Sequence, residues 1–449
     1  MTQSDPPELL GLAAGARIGG SFRPAGALAR ARRVLLAAAW ARGRTRVARL
    51  PVGAELEATI ALLAAAGIAC ERLAADEVAL EGAPPGAGPR ACGPLAVGES
   101  AALARLVTPL VALASPVGER WTIVARGRLL ARPSRALFRT LAEARVELAR
   151  QNLPGTWPVE LVAVEPPARL ALAAPFAPEE LEGLLLALAA RAEPRELVVS
   201  PGVPAARSLD RVRALLADFG AELQAEASDS GTRLGVRGPL AAPPAPLELE
   251  PDAGAAVVAL AAACLSGGEL EVPGLGCDGR PGETRLVEHL AAFGCVARRT
   301  PTGLAARGFP ARGAELDLAE EPDLAPVLAV LAAAVTLATG ASSVLRGLAA
   351  PPGAETDRLG TLASGLRTLG LAVEVGTDFL ALGPGPGSEP GALVLDPGGD
   401  PRLARAFALL GLLRPELWVR APDCAARGWP SFWSDMERLG ARLARPVGS

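Results

Sequence analysis

The chain has 449 residues, enough by length for about three domains, and half of them are apolar, so a large core can form. Only 3% are aromatic, so that core must be built from Ala, Leu and Val, with short side chains and closely approaching helices. The net charge is −3, with no basic tail and no aromatic–arginine cluster, which argues against a nucleic-acid partner.

In chain order, the first ten residues are polar and contain Pro, with no basic region or apolar signal core. Apolar helices are expected over 27–41, 103–113, 181–190, 255–265, 324–337 and 403–413. Short strands alternate with them, among them 46–50, 269–272, 343–345 and 393–395. The most apolar run, 324–337, is interrupted by Pro326 and falls short of the roughly 20 residues that a membrane span needs, so it reads as a buried helix and no membrane is implied.

A second pattern repeats: an apolar helical stretch, a Gly-type stop, then a short strand. It reads LLAAAGIAC at 62–70, LAEARVEL at 141–148, LLADFGAEL at 215–223, LAAFGCV at 290–296, LRTLGLAV at 366–373 and MERLGARL at 436–443. The stops are Gly67, Arg145, Gly220, Gly294, Gly370 and Gly440, spaced by 78, 75, 74, 76 and 70 residues. Gly suits the position after a helix because it takes positive φ without steric cost; Arg145 is the exception. Six units of about 75 residues account for the chain, each with room for two helices and three or four strands. The Pro/Gly/Ala-rich stretch 238–246 lies between the third and fourth units and is the expected hinge of a two-domain protein.

Every basic residue is Arg; there is no Lys, no Tyr and a single His, His289, to which no catalysis is assigned. This pattern reads as a codon bias towards G and C. The six cysteines, Cys70, Cys92, Cys264, Cys277, Cys295 and Cys424, form no CxxC pair and, with one His, no zinc set. They read as thiols in a reducing cytosol, hence a cytoplasmic protein.

One hexapeptide concentrates charge at an expected helix start: Ala354-Glu355-Thr356-Asp357-Arg358-Leu359, after the Gly- and Pro-rich run 346–353. Thr356 or Asp357 can cap the helix, Glu355 sits beside its exposed N–H groups, and Arg358 follows in the first turn. An acid and a guanidinium there suit a phosphate or carboxylate substrate, or equally a capped surface helix with a local ion pair.

Six α/β units with ETDRL in the fifth resemble the enolpyruvyl transferases and, within them, the shikimate branch, the 3-phosphoshikimate 1-carboxyvinyltransferases. Other segments carry the resemblance in order from about Ile18 to Pro446. Arg33-Val34-Leu35-Leu36-Ala37-Ala38-Ala39 before Gly43 is similar to the family's RALLLAA…G helix. Gly98-Glu99-Ser100 with Arg105 resembles its G(N/E)(A/S)GTxxR segment, and Arg132-Pro133 its RP motif. Asp252 followed by Gly254-Ala255-Ala256, Pro322-Asp323, Asp400-Pro401-Arg402 and Cys424-Ala425-Ala426-Arg427 resemble DASSA, PD, DHR and CxxK. The sister branch, which acts on a UDP-sugar, has a reactive Cys five residues before the RP arginine, where Gly127 stands here.

The resemblance implies a two-domain inside-out α/β barrel of six βαβαββ-type units, three per domain. The first domain would be 22–243 and the second 1–21 plus 244–449, with the N-terminal strand returning to the second domain. It implies a monomer that uses no metal or organic cofactor. The substrates would be phosphoenolpyruvate, or a similar small anion, and shikimate 3-phosphate as acceptor. The chemistry protonates the enol carbon, adds the acceptor hydroxyl and expels phosphate, which needs proton carriers in reach and cations for carboxylate and phosphate. By resemblance Asp323 and Glu355 are the acid/base carboxylates, and Arg132, Arg358 and Arg402 clamp the anions. Arg427 stands in for a Lys with its charge kept, and Arg33 is what remains of the charged acceptor loop.

The rest of that loop departs. The family's PG(S/D)KSxSxR reads Ala25-Gly26-Ala27-Leu28-Ala29-Arg30-Ala31-Arg32-Arg33, so Leu28 replaces the catalytic Lys and Ala29 a phosphate-binding Ser. Codon bias would have supplied Arg for Lys, not Leu. The SSQ triplet falls near Ala177-Pro178-Glu179, the Lys before ETDRL is Ala354, and a Gly close to phosphoenolpyruvate is Ala101. Three readings follow: a shikimate-pathway enolpyruvyl transferase with impaired or altered activity, an inactive paralogue serving as an anion-binding or partner module, and a transferase for another acceptor.

Overall fold

The computed structural model describes residues 8–83, 88–200, 206–228, 231–276, 285–349, 357–389 and 391–446. Glu355, Thr356, Ala354 and Cys277 lie outside the described residues. The chain is mixed α/β and divides into two compact units, Gly26–Leu249 and Met1–Ala25 with Glu250–Ser449.

Among the described residues the strands form six four-stranded sheets, three in each unit. All have one parallel and two antiparallel pairs, and in four of them a helix directly links the parallel pair, as in the sheet ordered Leu95–Gly98, Arg120–Ala125, Val159–Val162, Glu147–Ala149. Its first pair is parallel and is joined through the helix Ala101–Ala114; the other two pairs are antiparallel. A parallel pair requires such a crossover, and the helix places its apolar face on the sheet. In the unit Met1–Ala25/Glu250–Ser449, Leu9–Leu12 pairs with Leu417–Arg420 and Leu443–Ala444, and Gly20–Ser21 pairs with Glu269–Pro273. The start of the chain is therefore sheet material for the unit built by its second half.

The helices end where residues permit it. The six stop positions all have positive φ: Gly67 76°, Arg145 66°, Gly220 72°, Gly294 88°, Gly370 75° and Gly440 106°. The apolar run expected over 324–337 is the helix Ala325–Thr339, buried from Ala325 to Thr336. Pro326 does not interrupt it, because it occupies the first turn, where the missing N–H has no partner to lose. By length and composition alone Pro322–Thr339 could cross a membrane, but it is the core helix of its unit.

With few aromatics, the cores rely on close helix contact. A Cβ on Gly183 would lie 2.7 Å from the Arg105 carbonyl and 3.0 Å from Leu106 Cα, so Pro178–Ala189 and Ala101–Ala114 touch backbone to backbone. Gly365 receives the Phe407 ring in the same way.

The stretch 238–246 is not a linker. Leu240 N–H donates to Ala189, Ala242 N–H to Arg42, and Arg42 bridges Ala241, all inside the unit Gly26–Leu249. Its Pro and Gly content reflects a tight path across that unit, and the chain passes between units at 25/26 and 249/250.

Candidate active site

In the unit Met1–Ala25/Glu250–Ser449, three helix starts bring charged residues together. Arg358 opens the helix Arg358–Thr368, whose cap is Asp357: its carboxylate accepts from Gly360 N–H at 2.9 Å. Asp400 caps Pro401–Leu410, accepting from the N–H groups of Arg402 at 2.8 Å and Leu403 at 3.3 Å. Asp323 lies in the 3-10 turn Pro322–Leu324 that leads into Ala325–Thr339.

Side chains close this arrangement. Arg358 donates through Nε to Asp400 Oδ2 at 2.7 Å and through Nη1 to Asp323 Oδ1 at 2.9 Å. Arg402 Nη2 donates to Asp323 Oδ2 at 2.8 Å. One carboxylate thus holds two forked cations, and a second, buried one orients the first of them. Burial pushes the Asp400 carboxyl up, but the hydrogen bond and charge of Arg358, with the two helix N–H groups, outweigh it and hold the group below its usual range. Burial likewise opposes the charge on Arg358, and Asp400 and Asp323 overcome it, so its pKa is raised.

Arg427 follows the turn Pro422–Ala426, and its guanidinium reaches the glycine loop ahead of Asp400: a Cβ on Gly399 would lie 3.6 Å from its Nη2. Arg405 fixes the chain there. It donates to the carbonyls of Ala425, at 2.9 Å, and of Arg427, and lies over the Trp429 ring at 5.5 Å. Burial lowers its pKa to about 10, against the pull of Asp252.

The other unit holds Arg33 and Arg132. Arg33, on the helix Leu28–Trp40, donates to the buried Glu182 at 2.6 Å and to the Ala29 carbonyl at 2.8 Å. Arg105 donates to Ser134 at 3.0 Å and faces Glu180 at 3.5 Å and Glu179 at 4.0 Å. Burial, with Glu179 nearby, raises the Glu180 carboxyl despite Ser134, Arg105 and the Leu137 N–H. One helix, Pro178–Ala189, therefore sends acids to both arginines. Arg132 stands at the end of the turn Gly127–Ala131, partly buried and engaged within the protein. Leu28 packs on the core of this unit, and Arg30 is tied to Asp218 at 2.8 Å. At Gly127, with φ 58°, any side chain would overlap the Glu99 carboxylate.

The structure thus gathers Asp323, Arg358 and Arg402 in one cluster with Arg427 at the adjoining loop, and sets Arg33 and Arg132 in the other unit. Missing from the site as read in sequence were Asp400, Arg405, Glu180 and Glu182. Asp400 was discernible, since Asp-Pro-Arg is a cap followed by a first-turn Pro. The acids Glu180 and Glu182 stand out only as charges, beside Glu179, in an otherwise apolar helix.

The chain matches the family model for EPSP synthase (3-phosphoshikimate 1-carboxyvinyltransferase) over residues 12–436. It is 32% identical over 406 residues to the 3-phosphoshikimate 1-carboxyvinyltransferase of Methanoculleus marisnigri, covering 89% of this chain and 92% of that one. To the protein of the same name from Nitrosomonas europaea it is 28% identical over 423 residues, covering 93% and 95%. In structure it is similar to EPSP synthase from Acinetobacter baumannii, with a TM-score of 0.78 at 18% identity over 98% of this chain and 100% of that one. The enolpyruvyl transferase NikO from Streptomyces tendae gives 0.72 at 21% identity over 98% and 99%. At such identities these two likenesses speak for the fold alone.

Proposed function

The chain belongs to the EPSP synthase (3-phosphoshikimate 1-carboxyvinyltransferase) family, and from that premise we propose that it keeps the anion-binding half of an enolpyruvyl transferase while its acceptor half has changed. Arg358, Arg402 and Arg427 would hold the phosphate and carboxylate of phosphoenolpyruvate, and Arg132 would be a further anion-binding residue. The observation that carries this is the shared carboxylate: Asp323 spans Arg358 and Arg402 at 2.9 and 2.8 Å, as a counter-ion does that an incoming anion can replace. Asp323 and Glu355 would then be the proton carriers. The enol carbon gains a proton while the acceptor hydroxyl gives up its own and bonds to the neighbouring carbon; the methyl group so formed then loses a proton as phosphate leaves, which restores the double bond. The family fold would make each unit an enolpyruvyl-transferase-like domain of three repeats, an inside-out barrel acting as a monomer.

The acceptor side supports altered rather than ordinary shikimate 3-phosphate chemistry. Leu28 is packed on core, where a proton donor would be needed, and Arg30 is held by Asp218. Arg33 is neutralised by Glu182, and Arg105 faces Glu179 and Glu180. A phosphorylated acceptor meets carboxylates here, which favours one with less negative charge, or loss of turnover.

The test is phosphate release with phosphoenolpyruvate and shikimate 3-phosphate together. We expect no turnover in the ordinary range of about 1–10³ per second, and rates in that range would overturn the altered-acceptor reading. Leu28→Lys, Ala29→Ser and Ala354→Lys combined should raise shikimate 3-phosphate binding. No gain means that the acceptor pocket serves another molecule or none.

A further inference from the structure

We propose that Glu182 is a specificity-determining residue: as a counter-ion built into the helix Pro178–Ala189, it withholds Arg33 from outside anions, so the acceptor carries no phosphate or carboxylate group at that point. The inference rests on the altered-acceptor reading above and assigns it to one side chain.

Every guanidinium nitrogen of Arg33 is engaged inside the protein. Nε and Nη2 both lie 2.6 Å from Glu182 Oε2, and Nη1 donates to the Ala29 carbonyl at 2.8 Å. The edge formed by Nε and Nη2 is one with which an arginine grips a phosphate or carboxylate by two donors at once, and here it is filled. Burial decides whether such a counter-ion can be displaced. Asp323, which serves Arg358 and Arg402, has a side chain 55% exposed, so an incoming anion can push it into water. The Glu182 side chain is 2% exposed, on a helical stretch buried from Glu180 to Ala189. Displaced from Arg33, it has no route to water and stays behind as a buried charge without a partner, a costly state that a ligand contact to Arg33 does not offset. Two further oxygens, Glu182 Oε1 and Glu180 Oε2, are buried without a hydrogen-bond donor. This half of the molecule is therefore short of donors, and the oxygens of a phosphate would add to the shortage.

The test is a double-mutant cycle on the full chain, read by calorimetry with inorganic phosphate: the parent, Arg33→Ala, Glu182→Ala and the two changes together. In the parent, Arg33→Ala should change phosphate binding by less than about twofold, because Arg33 is already occupied. In Glu182→Ala the guanidinium edge is free and one phosphate site is gained. Arg33→Ala should weaken that site by about tenfold or more, the loss of one charged contact. Binding of phosphate at Arg358 and Arg402 is common to all four proteins and cancels from the comparison. Equal effects of Arg33→Ala in the two backgrounds, or no site gained by Glu182→Ala, overturn the proposal. Should Glu182→Ala not fold, Glu182→Gln takes its place in the cycle. It keeps the side-chain volume, removes the charge and should gain phosphate binding in the same direction. Failure of the altered-acceptor reading is distinct: it would show as ordinary turnover of shikimate 3-phosphate by the parent, whatever the cycle gives.

Discussion

Asp400 ties a helix to its neighbour with one side chain: Oδ1 caps Pro401–Leu410 and Oδ2 receives Arg358. Its folded pKa lies below the unfolded value. It therefore contributes stability above the ordinary carboxylate range, and that contribution is lost as pH falls through the lowered folded value. Asp400→Asn keeps a cap and removes the charge. We expect it to cost about 2 kcal/mol near neutral pH, and parent and variant to converge in strong acid, as urea unfolding at several pH values would show. A difference that persists undiminished in acid would mean that capping, not the ion pair, carries the effect. The cationic part of this cluster was legible in the sequence because Arg358, Arg402 and Arg427 occupy motif positions. The counter-ions were less so. Glu182 meets Arg33 across 149 residues of chain, and no local pattern encodes such a partner.

At the scale of elements, a periodic signal was sufficient where local chemistry decides the conformation. The stops after each apolar helix all adopt positive φ, including Arg145 at 66°, where Gly is absent. Arg145 is exposed and left-handed, a conformation costing an L-residue roughly 1–2 kcal/mol. Arg145→Gly should therefore stabilise the protein by about 0.5–1 kcal/mol, the residue gaining conformational freedom in the unfolded chain offsetting part of the relief. The converse substitutions should differ from each other. Gly220→Ala meets open space and suffers only the backbone strain, about 1 kcal/mol. Gly370→Ala would also overlap the Gly387 backbone and should cost several-fold more. Equal costs measured by denaturant unfolding would contradict this account of the two turns. The hinge was misread for a related reason: composition marks a tight path as readily as a linker, and the hydrogen bonds from Leu240 and Ala242 that hold 238–246 to its unit are tertiary.

For the whole molecule, the repeat made two assemblies of small α/β layers legible, because a helix stop recurring every 70–78 residues demands a recurring unit. Pairing of the sheets was not legible from periodicity; it needed strands such as Leu9–Leu12 and Leu417–Arg420, which lie at opposite ends of the chain. The family is one of enolpyruvyl transferases, and the functional claim is that this chain retains a site for the enolpyruvyl donor without an ordinary site for the phosphorylated acceptor. The most direct measurement is calorimetric titration of phosphoenolpyruvate into the parent and into Arg402→Ala. The account expects one weak site in the parent, with a dissociation constant of about 0.1–1 mM, weakened about 10–100-fold by Arg402→Ala through loss of a charged contact. Absence of binding to the parent, or binding that Arg402→Ala leaves unchanged, would contradict it.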